Sequence, residues 1–320
     1  MVKQVVIQKI RDAERDMTFQ EFKDKKGELI TGIVRRFEKQ SIIVDLNRTE
    51  AILPRREQVA TETYRPGDRI QAYVIDINKA ARQPQVILSR THPGLLMKLF
   101  EKEVPEIYEG IVVIEACARE PGHRAKIAVS SFDPQIDPIG TCVGLRGSRV
   151  TAVSNECRGE MIDVIEFSAD PVQFAKNAIA PAHVTMVFID EASHSMDIIV
   201  PDADLARAIG RRGQNVRLAQ DLTGWKLDVH SESWHWARVQ ESREELSRLQ
   251  GIDTDTLESL LDNDFRSAKE LADAEPSEVA AILGLSEDAA TALVDAADAL
   301  VEAMIMEEAA ARKAAREGQA

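Results

Sequence analysis

Residues 137–150 read DPIGTCVGLRGSRV, and residues 208–216 read AIGRRGQNV. Each stretch contains two glycines separated by two residues, Gly144 and Gly147 in the first and Gly210 and Gly213 in the second. A chain with 16 glycines in 320 residues is expected to contain roughly 0.8 such pairs by chance, so one pair alone would mean little. The two pairs lie 66 residues apart in matching contexts, which indicates that one structural unit was duplicated.

Both repeats have the same predicted order of elements: a helix, two strands, the glycine pair, a helix and a strand. The predicted opening helices are Gly94–Lys102 and Pro171–Ile179, and the predicted strands before the glycines are Glu109–Ala116, Ala125–Val129, Val184–Ile189 and Ser195–Val200. Glycines allow a sharp turn without side chains, and the helix that follows offers free N–H groups and its positive end to a phosphate. KH domains clamp about four nucleotides of single-stranded nucleic acid in this way.

We therefore predict that the glycine loops and the residues around them bind RNA. The predicted contacts are Gly144, Leu145, Arg146, Gly147 and Arg149 in the first repeat, and Gly210, Arg211, Arg212, Gly213, Asn215 and Arg217 in the second. The alternative is a helix–turn–helix joint, in which the glycines cap helices and the arginines are only solvated. The duplication favours RNA binding.

Between Gly27 and Arg90 the sequence consists of short β-branched or alternating runs. The predicted strands are Leu29–Arg36, Ser41–Asp45, Ala51–Leu53, Ile70–Ile77 and Val86–Ser89. Five short strands predict a small closed barrel of the OB type, with a generic barrel or part of a sandwich as the alternative. A resemblance to RNA-binding barrels of the OB type, which bind oligonucleotides across one face on aromatic and basic side chains, implies a second RNA surface here. The candidates are Arg35, Arg36, Phe37, Tyr73 and Arg90, although Phe37 and Tyr73 also fit a barrel core.

The charge is distributed unevenly along the chain. The formal net charge is −14, from 54 acidic and 40 basic residues. From Glu232 onward there are 21 acidic and 8 basic residues, which leaves 33 acidic and 32 basic residues before it. This acidic part is predicted to be helical, with helices at Leu257–Leu261, Ser267–Ala274 and Pro276–Leu283. Its charge predicts a protein partner rather than DNA.

Motifs for several classes of enzyme are missing from the sequence. It contains no GxxxxGK[ST], HExxH, GxSxG or protein kinase motif, so we predict no catalytic residue, no cofactor and no metal site. Its three cysteines lack CxxC spacing, which favours reduced thiols in the cytoplasm. No run approaches the ~20 apolar residues of a membrane-spanning helix, so no membrane partner is expected.

The arrangement resembles the NusA family of bacterial transcription elongation, termination and antitermination factors. The resemblance is carried by EVPE at 103–106, RAKIAV at 124–129, the stretch 137–150, NAIAPA at 177–182, AIGRRGQNVRLA at 208–219 and LTGW at 222–225. It implies an α+β multidomain chain with an OB-fold S1 β-barrel, two tandem prokaryotic-type (type II) KH domains and a C-terminal all-α, helix-hairpin-helix-like acidic domain. The implied segments are 1–26 (terminal helix of a truncated polymerase-binding domain), 27–91 (S1), 92–168 (first KH), 169–232 (second KH), 233–247 (linker), 248–306 (acidic repeat) and 307–320 (frayed tail).

The resemblance also implies partners. We expect a monomeric, non-enzymatic factor that binds single-stranded nascent RNA and RNA polymerase, and that meets antitermination factors of the Nus type through its S1–KH part or its acidic tail. Only the last helix of the polymerase-binding domain is recognisable, in residues 3–25, so polymerase contact is expected to be weakened. A general RNA-binding or ribosome-maturation protein without polymerase contact is the alternative. A polynucleotide phosphorylase is disfavoured, because its KH and S1 domains follow a catalytic core in the opposite order.

Overall fold

A computed structural model of the chain describes residues 2–78, 86–263 and 265–317. The chain divides into two compact units, residues 1–229 and 230–320. The first unit contains a β-barrel and two three-stranded sheets with their helices, and the second is mainly helical. Across the described ranges, every helix is too short or too polar to span a membrane.

Five strands close into the barrel in the order β1-β2-β3-β5-β4. They are β1 (Leu29–Glu38), β2 (Ser41–Asp45), β3 (Glu50–Leu53), β4 (Arg69–Ile77) and β5 (Val86–Ser89). The pair β3–β5 is parallel, whereas β1–β2, β1–β4, β2–β3 and β4–β5 are antiparallel. Because side chains alternate between the two faces of a strand, Val34, Val44 and Ile70 point inward and are buried. The predicted OB-type barrel is confirmed.

A long helix precedes the barrel. It is α1 (Val2–Phe22), which continues into a short 3-10 turn at Lys23–Lys25. Phe22 packs into the barrel core, whereas Val5, Ile10 and Met17 on the same helix are exposed. The helix predicted at residues 3–25 is therefore present, and most of its apolar stripe is left uncovered by the described residues.

Each repeat folds into one three-stranded sheet with helices. The first contains α2 (Pro93–Glu103), α3 (Pro105–Tyr108), β6 (Val112–Glu120), β7 (Arg124–Ser131), α4 (Pro138–Val143), α5 (Ser148–Glu156) and β8 (Met161–Glu166). The second contains α6 (Pro171–Ala178), β9 (Met186–Asp190), β10 (Ser195–Val200), α7 (Asp202–Ile209), α8 (Gln214–Thr223) and β11 (Lys226–Ser231). The sheets are ordered β6-β7-β8 and β11-β10-β9. This is the prokaryotic-type KH arrangement that was predicted. Strand β6 begins later than predicted, because α3 and a turn at Gly110 (φ 75°) occupy the preceding residues.

The two KH domains share one hydrophobic core. Ala118, Ala128 and Ile165 of the first domain pack in the same cluster as Phe174 and Leu218 of the second. A shared apolar core resists bending at the domain boundary, because separating the domains would expose its surface to water. The core therefore fixes the positions of the two KH domains relative to each other.

Lys126 adds a polar contact across the same boundary. Its side chain is fully buried, and its Nζ donates a hydrogen bond of 2.9 Å to the carbonyl oxygen of Ala180. Burial lowers the pKa of Lys126, although the Asp163 carboxylate lies 3.3 Å from its Nζ and acts in the opposite direction. The domain boundary thus contains a cation that only a well-formed interface can accommodate.

The second unit consists of five helices within the described residues. They are α9 (Glu232–Leu246), α10 (Thr254–Asp262), α11 (Ala268–Ala272), α12 (Pro276–Leu283) and α13 (Glu287–Glu317). Gly284, in the left-handed conformation at φ 65°, joins α12 to α13 in a hairpin. This hairpin fits the predicted helix-hairpin-helix character.

Two segments of this unit that were predicted as a linker and a frayed tail are helical in the structure. Residues 233–247, expected to be a linker, form α9, because the Ser231 side chain accepts a hydrogen bond from the Trp234 N–H and Leu246 is buried in the helical core. The tail from 307, which was predicted to fray, lies within α13 as far as Glu317, and its alanines, glutamates, lysine and arginines are strong helix formers. Residues 318–320 lie outside the described part of the chain.

Candidate nucleic-acid interface

The two glycine loops have the same backbone conformation. Their first glycines, Gly144 and Gly210, have φ,ψ values of 74°, 174° and 73°, 175°, in a region that is essentially restricted to glycine. The third residues of the two loops also match, with Arg146 at φ 53° and Arg212 at φ 52°, both in the left-handed region. The last glycines, Gly147 and Gly213, are left-handed at φ 76° and 73°. The duplication is therefore conserved in the backbone to within a few degrees.

The helices that follow the loops begin without a side-chain cap. At the starts of α5 and α8 no side chain accepts a hydrogen bond from the first turn, and that turn contains no acidic residue. The starts of α2, α4 and α6 are, by contrast, capped by His92, Asp137 and Asp170. An uncapped start leaves N–H donors at the positive end of the helix dipole. Both helix starts can therefore receive an anion such as a phosphate.

The tips of the loops carry exposed cations. Arg146 lies in the first loop, Arg211 and Arg212 lie in the second, and all three are exposed. Leu145 beside them is 85% exposed, which is unusual for a leucine and offers an apolar contact to a base. Unlike most of the arginines of this unit whose side chains are described, these three form no ion pair with any carboxylate of the described residues. Their charge is therefore available to a ligand.

Two of the residues predicted to contact RNA, Asn215 and Arg149, instead donate hydrogen bonds to backbone carbonyl oxygens and so support the loops. Asn215 is 1% exposed, and its Nδ2 donates to the carbonyl oxygens of Ile179 (3.0 Å) and Ala208 (2.9 Å). Arg149 occupies the matching position of the first repeat. It is half-buried and donates to Thr141 O at 2.7 Å, with the Glu106 carboxylate 3.0 Å away. Asn215, predicted to contact RNA directly, is instead enclosed by the backbone that its amide holds.

Arg217 connects the KH domains. It forms an ion pair with Glu120 at the end of β6, and the Gln214 side chain donates a hydrogen bond to the same carboxylate. The Gln214 hydrogen bond and the Arg217 charge together hold the pKa of Glu120 below its usual range. Half of the Arg217 side chain remains exposed, so it can approach RNA only at the edge of this contact.

On the barrel face predicted to bind RNA, carboxylates balance the charges of the arginines. Arg36 is paired with Glu50 (Nη2–Oε2 2.8 Å) and Glu38, and Arg35 lies 3.0 Å from Glu50 and 3.8 Å from Asp45. Two arginines thus face three carboxylates, and hydrogen bonding from Arg36 lowers the pKa of Glu50, so that its negative charge persists. Phe37 is 50% exposed and remains available for stacking. This face therefore lacks the excess of positive charge that phosphates require.

Arg90 and Tyr73 lie at the joint between the barrel and the first KH domain. Arg90, predicted to contact RNA, is instead 1% exposed and forms a buried ion pair with Glu62. Tyr73 is partly buried and stacks on His92, with 4.6 Å between the ring centroids, which makes it a packing residue of the joint. Both side chains are occupied by protein contacts.

A second buried ion pair completes this joint. Arg119 and Glu160 are 1% and 0% exposed and lie 2.7 Å apart, and Arg119 also donates to the carbonyl oxygens of Arg90 (2.8 Å) and His92 (3.2 Å). The Gly122 N–H donates to the Glu160 carboxylate at 2.8 Å. Sequence reasoning missed this network, because its partners come from distant segments without a shared local pattern.

The cysteines have no features of a reactive site. Burial raises the pKa of Cys142 and Cys157 to about 11 and that of Cys117 to about 12. Their thiols are therefore protonated at neutral pH and are poor nucleophiles. Within the described part of the chain, no three His, Cys, Asp or Glu side chains are grouped to hold a metal ion.

Comparison with known families matches this architecture domain by domain. Family models match residues 23–89 as an S1 RNA binding domain, residues 90–167 as a NusA-like first KH domain and residues 171–235 as a NusA-like second KH domain. The three matches follow one another in the order barrel, first KH, second KH, and they cover both glycine loops.

Similar proteins from several bacteria bear one name, "Transcription termination/antitermination protein NusA". The protein of Bacillus subtilis is 50% identical over 231 residues, which are 72% of this chain and 62% of the relative. That of Halalkalibacterium halodurans is 50% identical over 72% of this chain and 60% of the relative, and that of Rickettsia conorii is 44% identical over 90% and 59%. The chain spans about three fifths of the length of these relatives. With its S1 barrel and two KH domains in this order and at this level of identity, the chain belongs to the NusA family.

Proposed function

We propose that this chain is a non-enzymatic, RNA-binding transcription factor that holds single-stranded RNA on its two glycine loops. The observation that carries the proposal is the pair of loops with one backbone conformation, each followed by an uncapped helix start and each bearing exposed, unpaired arginine. The names of its relatives point to transcription termination and antitermination as the process.

The chemistry of the loops fits a sugar–phosphate backbone. A strand that passes over Gly144 and Gly210 meets no side chain at these positions, so its phosphates can reach the N–H groups of α5 and α8. Arg146, Arg211 and Arg212 supply positive charge, and Leu145 supplies an apolar surface for a base. Each KH domain holds about four nucleotides in this way.

The partners proposed for the whole factor follow its charge distribution. Nascent RNA is proposed to bind the nearly neutral first unit, where the unpaired arginines lie. The second unit is strongly acidic and repels nucleic acid, so its proposed partner is a basic protein, such as an antitermination factor or a part of RNA polymerase. We propose a cytoplasmic monomer.

The proposal is tested by fluorescence anisotropy with a labelled single-stranded RNA over a salt series. The loop variant carries Leu145→Asp, Arg146→Asp, Arg211→Asp and Arg212→Asp, and aspartate tolerates the left-handed positions 146 and 212 better than most residues do. The control variant makes the same charge change in the second unit, with Arg238→Asp, Arg248→Asp, Lys269→Asp and Met306→Asp. The loop variant is expected to lose most of its affinity and to show a shallower salt slope, while the control retains both. Equal binding by the loop variant and the wild type would refute the proposal.

Contact with RNA polymerase is a separate part of the proposal. Immobilised chain is incubated with purified core polymerase, with and without RNA, and retained polymerase is quantified. Retention without RNA supports a direct contact. Failure to retain polymerase under both conditions would favour a general RNA-binding protein.

A further inference from the structure

A cleft of about 330 Å³ lies where the barrel meets the first KH domain. Its lining includes Tyr64, Arg69, Ile70 and Gln71 of the barrel and Lys102, Asn155, Glu156 and Arg158 of the KH domain. This volume is at the lower end of the roughly 300–1,000 Å³ of small-ligand pockets, so the cleft has room for about one nucleotide. A neighbouring cavity of about 250 Å³ shares four of these residues and extends the cleft along α5.

The lining has an excess of positive charge. Arg69, Lys102 and Arg158 are exposed, and none of the three forms an ion pair with a carboxylate in the described ranges. Glu156 supplies a negative charge, and its Oε1 lies 3.5 Å from Nη1 of the buried Arg90. Three cations against one carboxylate leave two positive charges uncompensated. The predicted barrel face, where two arginines meet three carboxylates, has the opposite balance.

The cleft also offers a stacking surface. The Arg158 guanidinium lies 5.7 Å from the centroid of the Tyr64 ring. Arg158 has a left-handed backbone at φ 57°, which is uncommon for a residue other than glycine. Tyrosine rings and guanidinium planes both stack on unpaired bases, and the exposed amide of Asn155 can hydrogen-bond a base edge.

The buried side chain of Arg90 joins the two walls of the cleft. Arg90 donates to the carbonyl oxygen of Gln71 at 2.8 Å and to that of Glu156 at 2.9 Å, and these residues belong to opposite walls. Arg90 itself is held by Glu62 and is almost fully buried. Because the walls are already fixed, a ligand does not have to order them when it binds.

The position of the cleft relative to the first glycine loop indicates its occupant. The loop precedes α5, whereas Asn155, Glu156 and Arg158 lie at the other end of this helix. Nine helical residues span about 14 Å, and stacked nucleotides follow one another at about 3.4 Å, so about four nucleotides separate the two sites. We propose that the cleft is a third RNA contact, which binds the phosphate and base of a nucleotide about four positions beyond the first glycine loop. This proposal rests on the proposed RNA-binding function.

The test uses two labelled random-sequence RNAs, of eight and sixteen nucleotides, with the full chain. An eight-nucleotide strand that fills both KH loops, at about four nucleotides each, has none left for the cleft, whereas the longer RNA can occupy both loops and the cleft together. The cleft variant carries Arg69→Gln, Lys102→Gln and Arg158→Asn, with asparagine chosen because it accepts the left-handed backbone. Its control carries Arg238→Gln, Arg248→Gln and Lys269→Gln in the second unit.

The cleft variant is expected to bind the 8-mer within about twofold of the wild type. Its affinity for the 16-mer should fall about five- to tenfold, with a salt slope smaller by about one. The control should bind both RNAs like the wild type. Glu156→Gln removes the opposing charge and is expected to tighten binding of the 16-mer only, a result that a misfolded protein could not give.

Three results separate the possible failures. Wild-type affinity of the cleft variant for the 16-mer, together with weak binding by the loop variant, would overturn the cleft and leave the proposed function intact. Undiminished binding of both RNAs by the loop variant would overturn the proposed function and, with it, the cleft as an extension of the loops. ATP is tested as a free nucleotide. If the wild type binds ATP and the cleft variant does not, while both bind the 16-mer with the same affinity, the RNA assignment would be overturned in favour of a free nucleotide.

A cross-linking measurement locates the strand directly. The 16-mer is prepared with 4-thiouridine at single positions, irradiated with the full chain and analysed by peptide mass spectrometry. Cross-links to the peptides around Tyr64 and Arg158 are expected from nucleotides about four positions away from those that reach residues 144–147. Cross-links to the loops from every position, and to the cleft from none, would overturn the proposal.

Discussion

Gly210→Ala should destabilise the second KH domain more than Gly144→Ala destabilises the first. Because the two glycines have nearly the same φ and ψ, alanine pays the same conformational penalty at both, about 1–3 kcal/mol. The surroundings differ. A Cβ at Gly144 would lie 2.8 Å from Cγ of Arg149, a flexible side chain, whereas a Cβ at Gly210 would lie 2.8 Å from Cβ and 2.9 Å from the backbone N of Asn215.

The difference follows from what Asn215 would have to give up. It is buried, and its Nδ2 makes the two hydrogen bonds to Ile179 and Ala208, each of which contributes about 0.5–1.5 kcal/mol. Relief at Gly144 requires a shift of the Arg149 side chain, which also holds Thr141 O and Glu106, whereas relief at Gly210 must move the backbone of α8 at Asn215 as well as its side chain. We therefore expect Gly210→Ala to cost about 1–2 kcal/mol more, which lowers protection of the second domain by a further factor of about 5–30.

Hydrogen exchange measured by mass spectrometry reports this locally, which matters because a chain of several domains does not unfold in one step. Peptides of α4 and α5 report on Gly144→Ala, and peptides of α7 and α8 report on Gly210→Ala. Gly213→Ala is the control, since its Cβ would meet nothing within 4 Å and only the left-handed backbone contributes, at about 1–2 kcal/mol. An equal or larger loss for Gly144→Ala would refute the argument.

Three further predictions concern buried and surface charges. Glu160→Gln leaves Arg119 buried without its counter-charge and should lower the stability of the first KH domain by about 3–5 kcal/mol, measured by hydrogen exchange of its peptides. Methionine at both positions should restore most of this loss, and full stability of Glu160→Gln alone would contradict the prediction. Burial lowers the pKa of Lys126 below its ordinary 10.5, so the unfolded chain binds the extra proton at pH values between the lowered pKa and 10.5. The stability of the wild type relative to Lys126→Met should therefore rise as the pH increases towards 10.5, and a flat difference would count against this. On the barrel face, Glu50→Gln should tighten RNA binding because it frees arginines, whereas Arg36→Gln should change the affinity less than twofold. Both are measured by anisotropy. A large loss for Arg36→Gln with no gain for Glu50→Gln would restore this face as an RNA site.

The repeated unit and the barrel could be predicted from sequence because their signals are local. Alternating apolar residues mark the strands, and the glycines at 144, 147, 210 and 213 mark turns that other residues adopt only with strain. Spacing alone therefore placed both loops. It could not show that the residue five positions after each first glycine, Arg149 or Asn215, turns back under the loop instead of facing a ligand.

Burial and pairing of charges could not be predicted because their partners are distant along the chain. Arg90 meets Glu62 from a preceding loop and the carbonyl oxygen of Glu156 from α5, and no short window contains these groups together. Glu50 neutralises Arg36 across a strand pair, so a basic run in the sequence became a compensated face in the fold. The helix α9 did leave a local signal in the capping Ser231, which the interpretation as a linker overlooked.

The core shared by the KH domains has a consequence for the RNAs that the chain can select. A flexible link would let the distance between two binding loops vary with the ligand. Here the distance is fixed, because the two domains are joined by packed side chains and by Lys126. Once one loop is occupied, the second meets its stretch of RNA at a high effective concentration, but only if the strand spans the fixed gap. Under the proposed function, this fixed distance selects unpaired strands that are long enough to span both loops and disfavours RNAs that fold into a hairpin within that distance.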